Sequence, residues 1–253
     1  MLLENTLFGE RDKVDTALKR LKMFEPKDGY YVAFSGGKDS CVILDLVRRS
    51  GCKYDAHYNL TSVDPPEVVK FIKTHKDVII EKPELTMWRL IENQKTPPNR
   101  IARYCCRVLK ERGGSGRMVV TGVRWEESTK RAKRNMTERC YTDKTKHYLH
   151  VIIDWTEVDV WEYIKSNSVA YCKLYDEGFK RIGCVICPFE RNTARSMKRW
   201  PKVWKGCRKA FDKLYENSLH HQSRWNSSEA MWLWWLARDA KAERKEQLSI
   251  FGP

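Results

Sequence analysis

The sequence predicts an α/β fold, a doubly wound and mainly parallel sheet followed by a helical C-terminal region. Three observations lead to this prediction. Short apolar runs alternate with amphipathic segments, a glycine-rich loop joins one such run to a helix, and the pattern after about residue 190 is helical. Alternating strands and helices are typical of a parallel sheet covered on both faces. The chain has 253 residues, and we predict two domains, 1–155 and 156–253.

The first predicted domain alternates helices and strands in a regular order. An amphipathic helix over about residues 10–23 comes first, and a buried strand, Tyr30–Phe34, follows it. The next helix ends at Gly51, because glycine readily adopts the left-handed conformation that terminates helices. Helical segments, one of them beginning at two consecutive prolines, separate the remaining strands, which are predicted at Lys53–Asn59, Val78–Glu81 and Met118–Arg124.

The pattern changes after His147. A strand over 148–155 precedes a helix that starts near Thr156, and a turn-rich segment then leads to a closely spaced pair of cysteines. From about Glu190 the chain is helical in pattern, basic and rich in tryptophan. Helical spacing indicates core positions for most of these tryptophans, although aromatic side chains among basic residues can also stack on nucleic-acid bases.

The charge balance is strongly basic. A formal net charge of +15 attracts polyanions such as nucleotides, sulfate esters, DNA or RNA, and a solvated basic surface is the alternative explanation. The first residues lack the apolar stretch of a signal peptide, and no apolar run is long enough to cross a bilayer. We therefore expect a cytoplasmic protein without a membrane partner.

The segment SGGKDS, Ser35–Ser40, joins the first buried strand to its helix. Its two glycines let the backbone approach an anion closely, and the helix N-terminus adds N–H groups and a positive dipole end. Lys38 supplies a positive charge, and the hydroxyls of Ser35 and Ser40 can donate to phosphate oxygens. The segment is neither a Walker A loop nor a dinucleotide fingerprint. The alternative is a glycine turn that only connects the strand to the helix. We favour an anion-binding loop, because all six residues of SGGKDS lie between a strand and a helix.

Nine cysteines without a secretory signal argue against a disulfide framework and in favour of metal or redox chemistry. Cys105 and Cys106 are adjacent, and Cys184 and Cys187 form a CxxC pair next to a proline. Four thiolates complete the ligand set of either a zinc ion or a four-iron cluster. The spacing alone leaves both alternatives open.

These motifs together resemble a known family. SGGKDS resembles the PP-loop of the adenine-nucleotide α-hydrolase superfamily. TGVRWEESTKR (121–131), DWTEVDVWEYI (154–164) and LYDEGFKRIGCVIC (174–187) resemble segments of phosphoadenosine phosphosulfate (PAPS) and adenylyl-sulfate reductases. Cys-Cys followed much later by CxxC is similar to the cluster motif of bacterial-type adenylyl-sulfate reductases. The resemblance extends over about residues 30–190.

The resemblance implies ligands and site residues. It favours a 4Fe-4S cluster over zinc, with ligands Cys105, Cys106, Cys184 and Cys187. It also implies ATP, adenylyl sulfate or PAPS as the bound nucleotide, with Mg²⁺ sharing the phosphate charge. The implied nucleotide-binding residues are Ser35, Gly36, Gly37, Lys38, Asp39, Ser40 and Gly122, and the implied catalytic residues are Lys38, Asp39, Arg124 and Arg131.

One departure from the family separates two kinds of function. Assimilatory reductases carry their nucleophilic cysteine in a Glu-Cys-Gly-Leu-His tail, which this sequence lacks. Cys207 is the only cysteine after the CxxC pair; it is either an alternative nucleophile or an ordinary helix residue. Without the tail, the chain also resembles the PP-loop component of DNA-phosphorothioation systems and phage- or plasmid-borne reductase-like proteins. That likeness implies splitting of ATP between its α and β phosphates, which activates a nucleic-acid oxygen for sulfur exchange.

Our leading prediction is therefore ATP or adenylyl-nucleotide chemistry coupled to sulfur transfer, with nucleic acid as the preferred acceptor and DNA modification as the process. The alternatives are a thioredoxin-dependent sulfonucleotide reductase and a non-catalytic nucleotide-binding accessory protein. Gln247–Phe251 (QLSIF) resembles peptides that dock on the sliding clamp, and a tail folded onto its own core is the alternative. A homodimer and a multiprotein sulfur-transfer complex are both compatible with these predictions.

Overall fold

The computed structural model describes residues 2–7, 9–94, 96–190 and 192–237, so the predicted clamp-binding peptide Gln247–Phe251 lies outside the described residues. The chain forms two compact units. Unit 1 runs to Leu60 and resumes over Pro66–Glu81 and Arg112–Gly183, and unit 2 consists of Thr61–Pro65, Lys82–Glu111 and the residues from Cys184 onward. The predicted domain boundary after residue 155 remains a prediction. The two units divide the chain differently, because unit 1 extends to Gly183 and unit 2 is assembled from separate segments.

Unit 1 is built on strands that alternate with helices, as the sequence predicts. The strands are β1 Leu3–Thr6, β2 Gly9–Asp12, β3 Tyr30–Ala33, β4 Tyr54–Asn59, β5 Val78–Glu81, β6 Met118–Val120, β7 Thr137–Arg139 and β8 His147–Leu149. The helices of the whole chain are α1 Lys13–Met23, α2 Lys38–Ser50, α3 Pro66–Ile72, α4 Met87–Glu92, α5 Glu157–Ser166, α6 Thr193–Arg199, α7 Pro201–Glu216 and α8 Leu219–Arg224. Residues 228–237 form a further helical segment.

The main sheet of unit 1 has the strand order β5-β4-β3-β6-β8-β7 among the described residues. Every neighbouring pair is parallel except β7 and β8. Tyr30 and Val32 of β3 are fully buried, as expected for a central strand of a sheet covered on both faces. The predicted α/β class with a mainly parallel sheet is confirmed.

Helix α2 shows how the local sequence determines one of these elements. Its buried side includes Val42, Ile43, Leu46 and Val47, which are removed from water, and this burial stabilises the helix. The helix ends at Gly51, whose φ of 72° lies in the left-handed region that glycine adopts without strain.

The structure differs from the sequence-based expectation at three elements of unit 1. The hairpin of β1 and β2 was not predicted, because its strands LENT and GERD lack an apolar alternation. Strand β6 ends at Val120, where the chain leaves the sheet to form the loop that carries Arg124. The strand predicted over 148–155 stops at Leu149, and residues 151–154 form turns instead, of which 151–153 are buried.

Unit 2 is helical in the described residues after Arg191, as predicted. Trp204, Cys207, Phe211 and Leu214 of α7 are buried, and the ring of Phe211 packs against tryptophan rings of the 228–237 segment. Most of the tryptophans in this region are core residues, namely Trp200, Trp204, Trp232 and Trp235. In the part of the chain that the structure describes, no helix combines the length and apolar character needed to cross a membrane.

Candidate functional site

The SGGKDS loop lies at the point where the strand order of the sheet reverses. From β3 the chain continues to β4 and β5 on one side, and it then returns to place β6 on the other side of β3. In open α/β sheets, ligands bind outside the carboxyl ends of the strands at such a switch point. Ser35–Ser40 directly follows the carboxyl end of β3, so the topology brings the loop to the position where a ligand is expected.

The loop has a tightly defined backbone. Gly36 has a φ of 72°, and a Cβ atom there would lie 3.1 Å from Cγ1 of Val68 and 3.2 Å from Cδ1 of Ile72. The backbone N–H of Ser35 donates to Oγ of Ser40 (3.2 Å), whose hydroxyl donates to the carbonyl of Gly37 (2.8 Å). Gly37, the N-cap of α2, makes no side-chain hydrogen bond to the backbone N–H groups of the first turn, which are the groups that bind anions at helix N-termini.

Lys38 is buried although it carries a charge. Its Nζ atom lies 3.3 Å from Oε1 of Glu157 and 3.7 Å from Oδ2 of Asp39. Its backbone N–H donates to the hydroxyl of Tyr175 at 2.9 Å, and its ammonium group lies over the ring of Tyr175, 5.6 Å from the centroid. Sequence reasoning missed Tyr175 and Glu157 as site residues, because only the fold brings these residues beside the loop.

Asp39 and Arg124 connect the loop to the segment after β6. Nε of Arg124 donates to Oδ1 of Asp39 at 2.6 Å, and Nη1 donates to Oε2 of Glu126 at 2.9 Å. Burial alone would lower the pKa of Arg124, but the carboxylates of Asp39, Glu127 and Glu126 together outweigh it and raise that pKa. A Cβ atom on Gly122 would lie 2.9 Å from Cβ of Asp39, so glycine at this position permits the close approach.

Arg131 lies on the same loop as Arg124 but makes different contacts. Its guanidinium pairs with the carboxylate of Glu127, and about a third of its side chain is exposed. Oε2 of Glu127 in turn accepts a hydrogen bond from the backbone N–H of Arg124 (2.9 Å). The structure therefore brings Ser35–Ser40, Gly122 and Arg124 together, whereas it links Arg131 to them through Glu127.

Unit 2 contains all four cysteines that were predicted as cluster ligands. Cys105 precedes a π-helical turn, Cys106–Lys110, and such turns are frequent at functional sites. The second pair lies on a turn in which the N–H of Cys187 donates to the carbonyl of Cys184 at 3.2 Å. All four are half-buried free thiols.

The cysteine sulfurs influence one another's ionisation. The hydrogen bond with Cys105 lowers the pKa of Cys106 to about 5, and Arg103, whose Nη2 lies 3.5 Å from Sγ of Cys106, acts in the same direction against burial. The same hydrogen bond, together with burial, raises the pKa of Cys105. The charges of Cys184 and Cys187 raise the pKa of Lys110. Within the described ranges, no three His, Cys, Asp or Glu side chains are grouped closely enough to hold a metal ion.

Cys207 does not have the properties of a nucleophile. Its side chain is fully buried in α7, and burial raises the pKa of its thiol. Reactive cysteines are accessible and have a lowered pKa. The structure therefore favours the alternative explanation of Cys207 as an ordinary helix residue.

The strand order and the loop define a PP-loop α/β protein, and comparison with known proteins identifies the family. The model of the phosphoadenosine phosphosulfate reductase domain matches residues 29–190, which is more than half of the chain. The chain belongs to this family.

Relatives of this chain have been named in archaea and bacteria. An uncharacterized protein of Methanocaldococcus jannaschii is 32% identical over 190 residues, which cover 68% of this chain and 39% of the relative. An adenosine 5′-phosphosulfate reductase of Bacillus pumilus is 28% identical over 220 residues, covering 76% of this chain and 89% of the relative. The match thus spans about two-fifths of the archaeal relative's length and most of the bacterial one's.

A solved structure has the same fold. The phosphoadenylyl-sulfate reductase of Candida auris, determined as a phosphate complex, superposes with a TM-score of 0.50 over 67% of this chain and 88% of its own. Its sequence identity with this chain is 18%, so the likeness concerns the fold.

Proposed function

We propose that unit 1 binds an adenine nucleotide through Ser35–Ser40 and Gly122, and that the chain couples α-phosphate or sulfonucleotide chemistry to sulfur transfer. The observation that carries the proposal is the SGGKDS loop at the switch point, where the buried Lys38 begins helix α2. An anion at this position is stabilised by the ammonium group, the N–H groups and the helix dipole together. The pyrophosphate group of ATP and the phosphosulfate group of adenylyl sulfate or PAPS are both anions of this kind.

The proposed roles follow from the contacts. Lys38 balances the charge of the transferred or leaving group. Arg124 fixes Asp39 at the first turn of α2, and Asp39 supplies a carboxylate oxygen, the ligand type that Mg²⁺ prefers. Arg131, on the same loop, is the proposed second cationic contact for the anionic end of the substrate once it separates from Glu127.

Nucleic acid is the sulfur acceptor that we propose. The net charge of +15 supports a polyanionic partner, and splitting ATP between its α and β phosphates would activate an oxygen of that partner for replacement by sulfur. DNA modification would then be the process that the chain serves, within a homodimer or a multiprotein sulfur-transfer complex.

We also propose that Cys105, Cys106, Cys184 and Cys187 hold a 4Fe-4S cluster. All four are free cysteines of one compact unit, and their sulfurs are close enough to affect one another's ionisation. Four cysteine thiolates are the donor set of a four-iron cluster as well as of a zinc ion. The likeness of the two cysteine pairs to the motif of adenylyl-sulfate reductases supports the cluster. Such a cluster would supply either a structural link between the cysteine pairs or sulfur for transfer.

A thioredoxin-dependent reduction of adenylyl sulfate or PAPS is the second candidate function. The adenosine 5′-phosphosulfate reductase of Bacillus pumilus, 28% identical over 76% of this chain, is the observation in its favour. In that reaction two thiols are oxidised to a disulfide while the sulfonucleotide is reduced to sulfite and a nucleoside phosphate.

Product analysis tests these functions. Anaerobically purified protein would be incubated either with ATP and DNA plus a sulfide source, or with adenylyl sulfate plus reduced thioredoxin. AMP and pyrophosphate in the first reaction would support sulfur transfer to nucleic acid, and sulfite with AMP in the second would support the reductase. Binding of either nucleotide without turnover would indicate the accessory protein. Absence of binding to both would overturn the proposal.

A further inference from the structure

Two of the groups best suited to hold a phosphate oxygen in the SGGKDS loop are engaged by other residues of unit 1. The backbone N–H of Lys38 donates to the Tyr175 hydroxyl at 2.9 Å. The ammonium group of Lys38 lies 3.3 Å from a carboxylate oxygen of Glu157, at the start of α5. A backbone N–H has one proton, so this donor cannot serve a phosphate oxygen while it serves Tyr175.

We propose that Tyr175 and Glu157 are internal occupants of the anion site, which the phosphate or phosphosulfate group of an incoming nucleotide must displace from Lys38. The inference rests on the proposed nucleotide binding at this loop. Tyr175 supplies a neutral oxygen where an anionic oxygen would bind, and Glu157 supplies a negative charge. Together they stabilise a buried lysine in the absence of nucleotide, and they reduce the affinity of the site for weakly charged ligands.

The surroundings of Tyr175 provide a control for this proposal. It ends a short 3₁₀ turn, Lys173–Tyr175, and its ring packs edge-on against Trp161 with centroids 5.3 Å apart. Trp161 also contacts Tyr171, whose hydroxyl donates to Asp176 at 2.9 Å and not to the loop. Tyr171 thus shares the aromatic environment of Tyr175 without occupying the anion site, and it provides a matched control.

The first test is calorimetric titration of the full chain with inorganic pyrophosphate, comparing wild type with Tyr175→Phe, Glu157→Gln and the control Tyr171→Phe. Removing the Tyr175 hydroxyl frees the Lys38 N–H, so we expect the Kd to fall about fivefold. Glu157→Gln should also lower the Kd at low salt, and this gain should shrink at about 0.5 M salt because the carboxylate is exposed to solvent and screened. Tyr171→Phe should match wild type.

The second test follows the displacement itself. If Tyr175 leaves its position, the surroundings of Trp161 change, so pyrophosphate should alter the tryptophan fluorescence of wild type. This change should be lost in Trp161→Phe. A Tyr175→Phe variant that binds pyrophosphate no tighter than wild type would overturn the inference, and weaker binding would mean that the hydroxyl is itself a ligand.

A Lys38→Ala variant separates this inference from the proposed function. If Lys38→Ala weakens pyrophosphate binding while Tyr175→Phe and Glu157→Gln leave it unchanged, the loop is an anion site without internal occupants, and the inference alone fails. If wild type and Lys38→Ala bind pyrophosphate equally, or neither binds it, the loop is not the anion site, and the proposed function fails with the inference.

Discussion

Nε of Arg124 lies 2.6 Å from Oδ1 of Asp39, and this ion pair joins the loop after β6 to the first turn of α2. The Arg124 side chain is 4% exposed, whereas that of Arg131, seven residues later on the same loop, is 34% exposed. Two arginines of one sequence motif therefore differ in environment. The buried arginine is held against the first turn of α2, and about a third of the other arginine's side chain is exposed to solvent.

Replacing Arg124 with methionine should destabilise the protein. The change leaves the carboxylates of Asp39 and Glu126 without their buried partner, and we expect the free energy of unfolding to fall by about 3 kcal/mol in urea denaturation. The Arg131→Met control breaks a more exposed pair and should cost less than about 1 kcal/mol. Equal losses in the two variants would contradict the distinction drawn from their burial.

Replacing Lys38 with alanine should weaken nucleotide binding. Removing its ammonium group takes away the charge nearest to the proposed phosphate position, so we expect the Kd for ATP or adenylyl sulfate to rise at least about tenfold in calorimetric titration. The iron content should stay at the wild-type level. Lys19→Ala is the matched control, because Lys19 is largely exposed on α1, where it pairs with Asp15. An unchanged Kd in Lys38→Ala would rule out the proposed role.

Gly122→Ala should disturb the site through packing alone. The new methyl group would lie 2.9 Å from Cβ of Asp39 and 3.0 Å from its carbonyl carbon, so Asp39 must shift. We expect a loss of about 1–3 kcal/mol in the free energy of unfolding and weaker nucleotide binding. Gly183→Ala is the control, since a Cβ there meets no atom within 4 Å. Thermal unfolding that is the same for both variants would disprove the close packing at Gly122.

The cysteine assignment can be checked by metal analysis. We expect anaerobically purified wild type to contain about four irons per chain and to absorb broadly in the visible range. Cys184→Ser should lose both signals and destabilise the C-terminal half, whereas Cys140→Ser, which changes a cysteine of unit 1, should retain them. Full iron content in Cys184→Ser would contradict the ligand assignment. One zinc per chain in wild type would show that the cysteines bind a zinc ion and not a cluster.

His150 should make the protein less stable as the pH falls from about 6.5 to 4. Burial, reinforced by the charge of Arg134, lowers the pKa of His150 to about 4, and its Nδ1 lies 2.7 Å from Oγ1 of Thr121. The unfolded chain binds a proton near the ordinary histidine pKa of about 6.5, and the folded chain does so only near pH 4. The stability present above pH 6.5 is therefore lost as the pH falls through this window, by about 3 kcal/mol.

Urea denaturation across that pH range provides the measurement. A His150→Asn variant should show a flatter dependence of unfolding free energy on pH between about 6.5 and 4. The control is His147→Gln, which changes an exposed histidine at the start of β8 and should retain the wild-type slope. The same slope in His150→Asn as in wild type would show that another group causes the acid destabilisation.

Local patterns along the chain determined the elements of the fold and the candidate ligands. The alternation of apolar runs and amphipathic segments predicted β3, α2, β4 and β5, because strand and helix periodicities depend on neighbouring residues. The SGGKDS loop was predicted for the same reason, since a strand, a glycine turn and a helix follow one another directly. The four predicted ligand cysteines lie in one compact unit, although their spacing could not exclude zinc.

Only the tertiary structure decided which distant residues meet at the loop. Tyr175 is 137 positions from Lys38, and Arg124 is 85 positions from Asp39, so no local pattern relates them. The strands β1 and β2 lack an apolar alternation. They form a hairpin because they pair with each other and contact the rest of unit 1. The burial of Cys207 likewise follows from the packing of α7. Such contacts are set by how the chain crosses the sheet and packs its helices, which residue spacing does not encode.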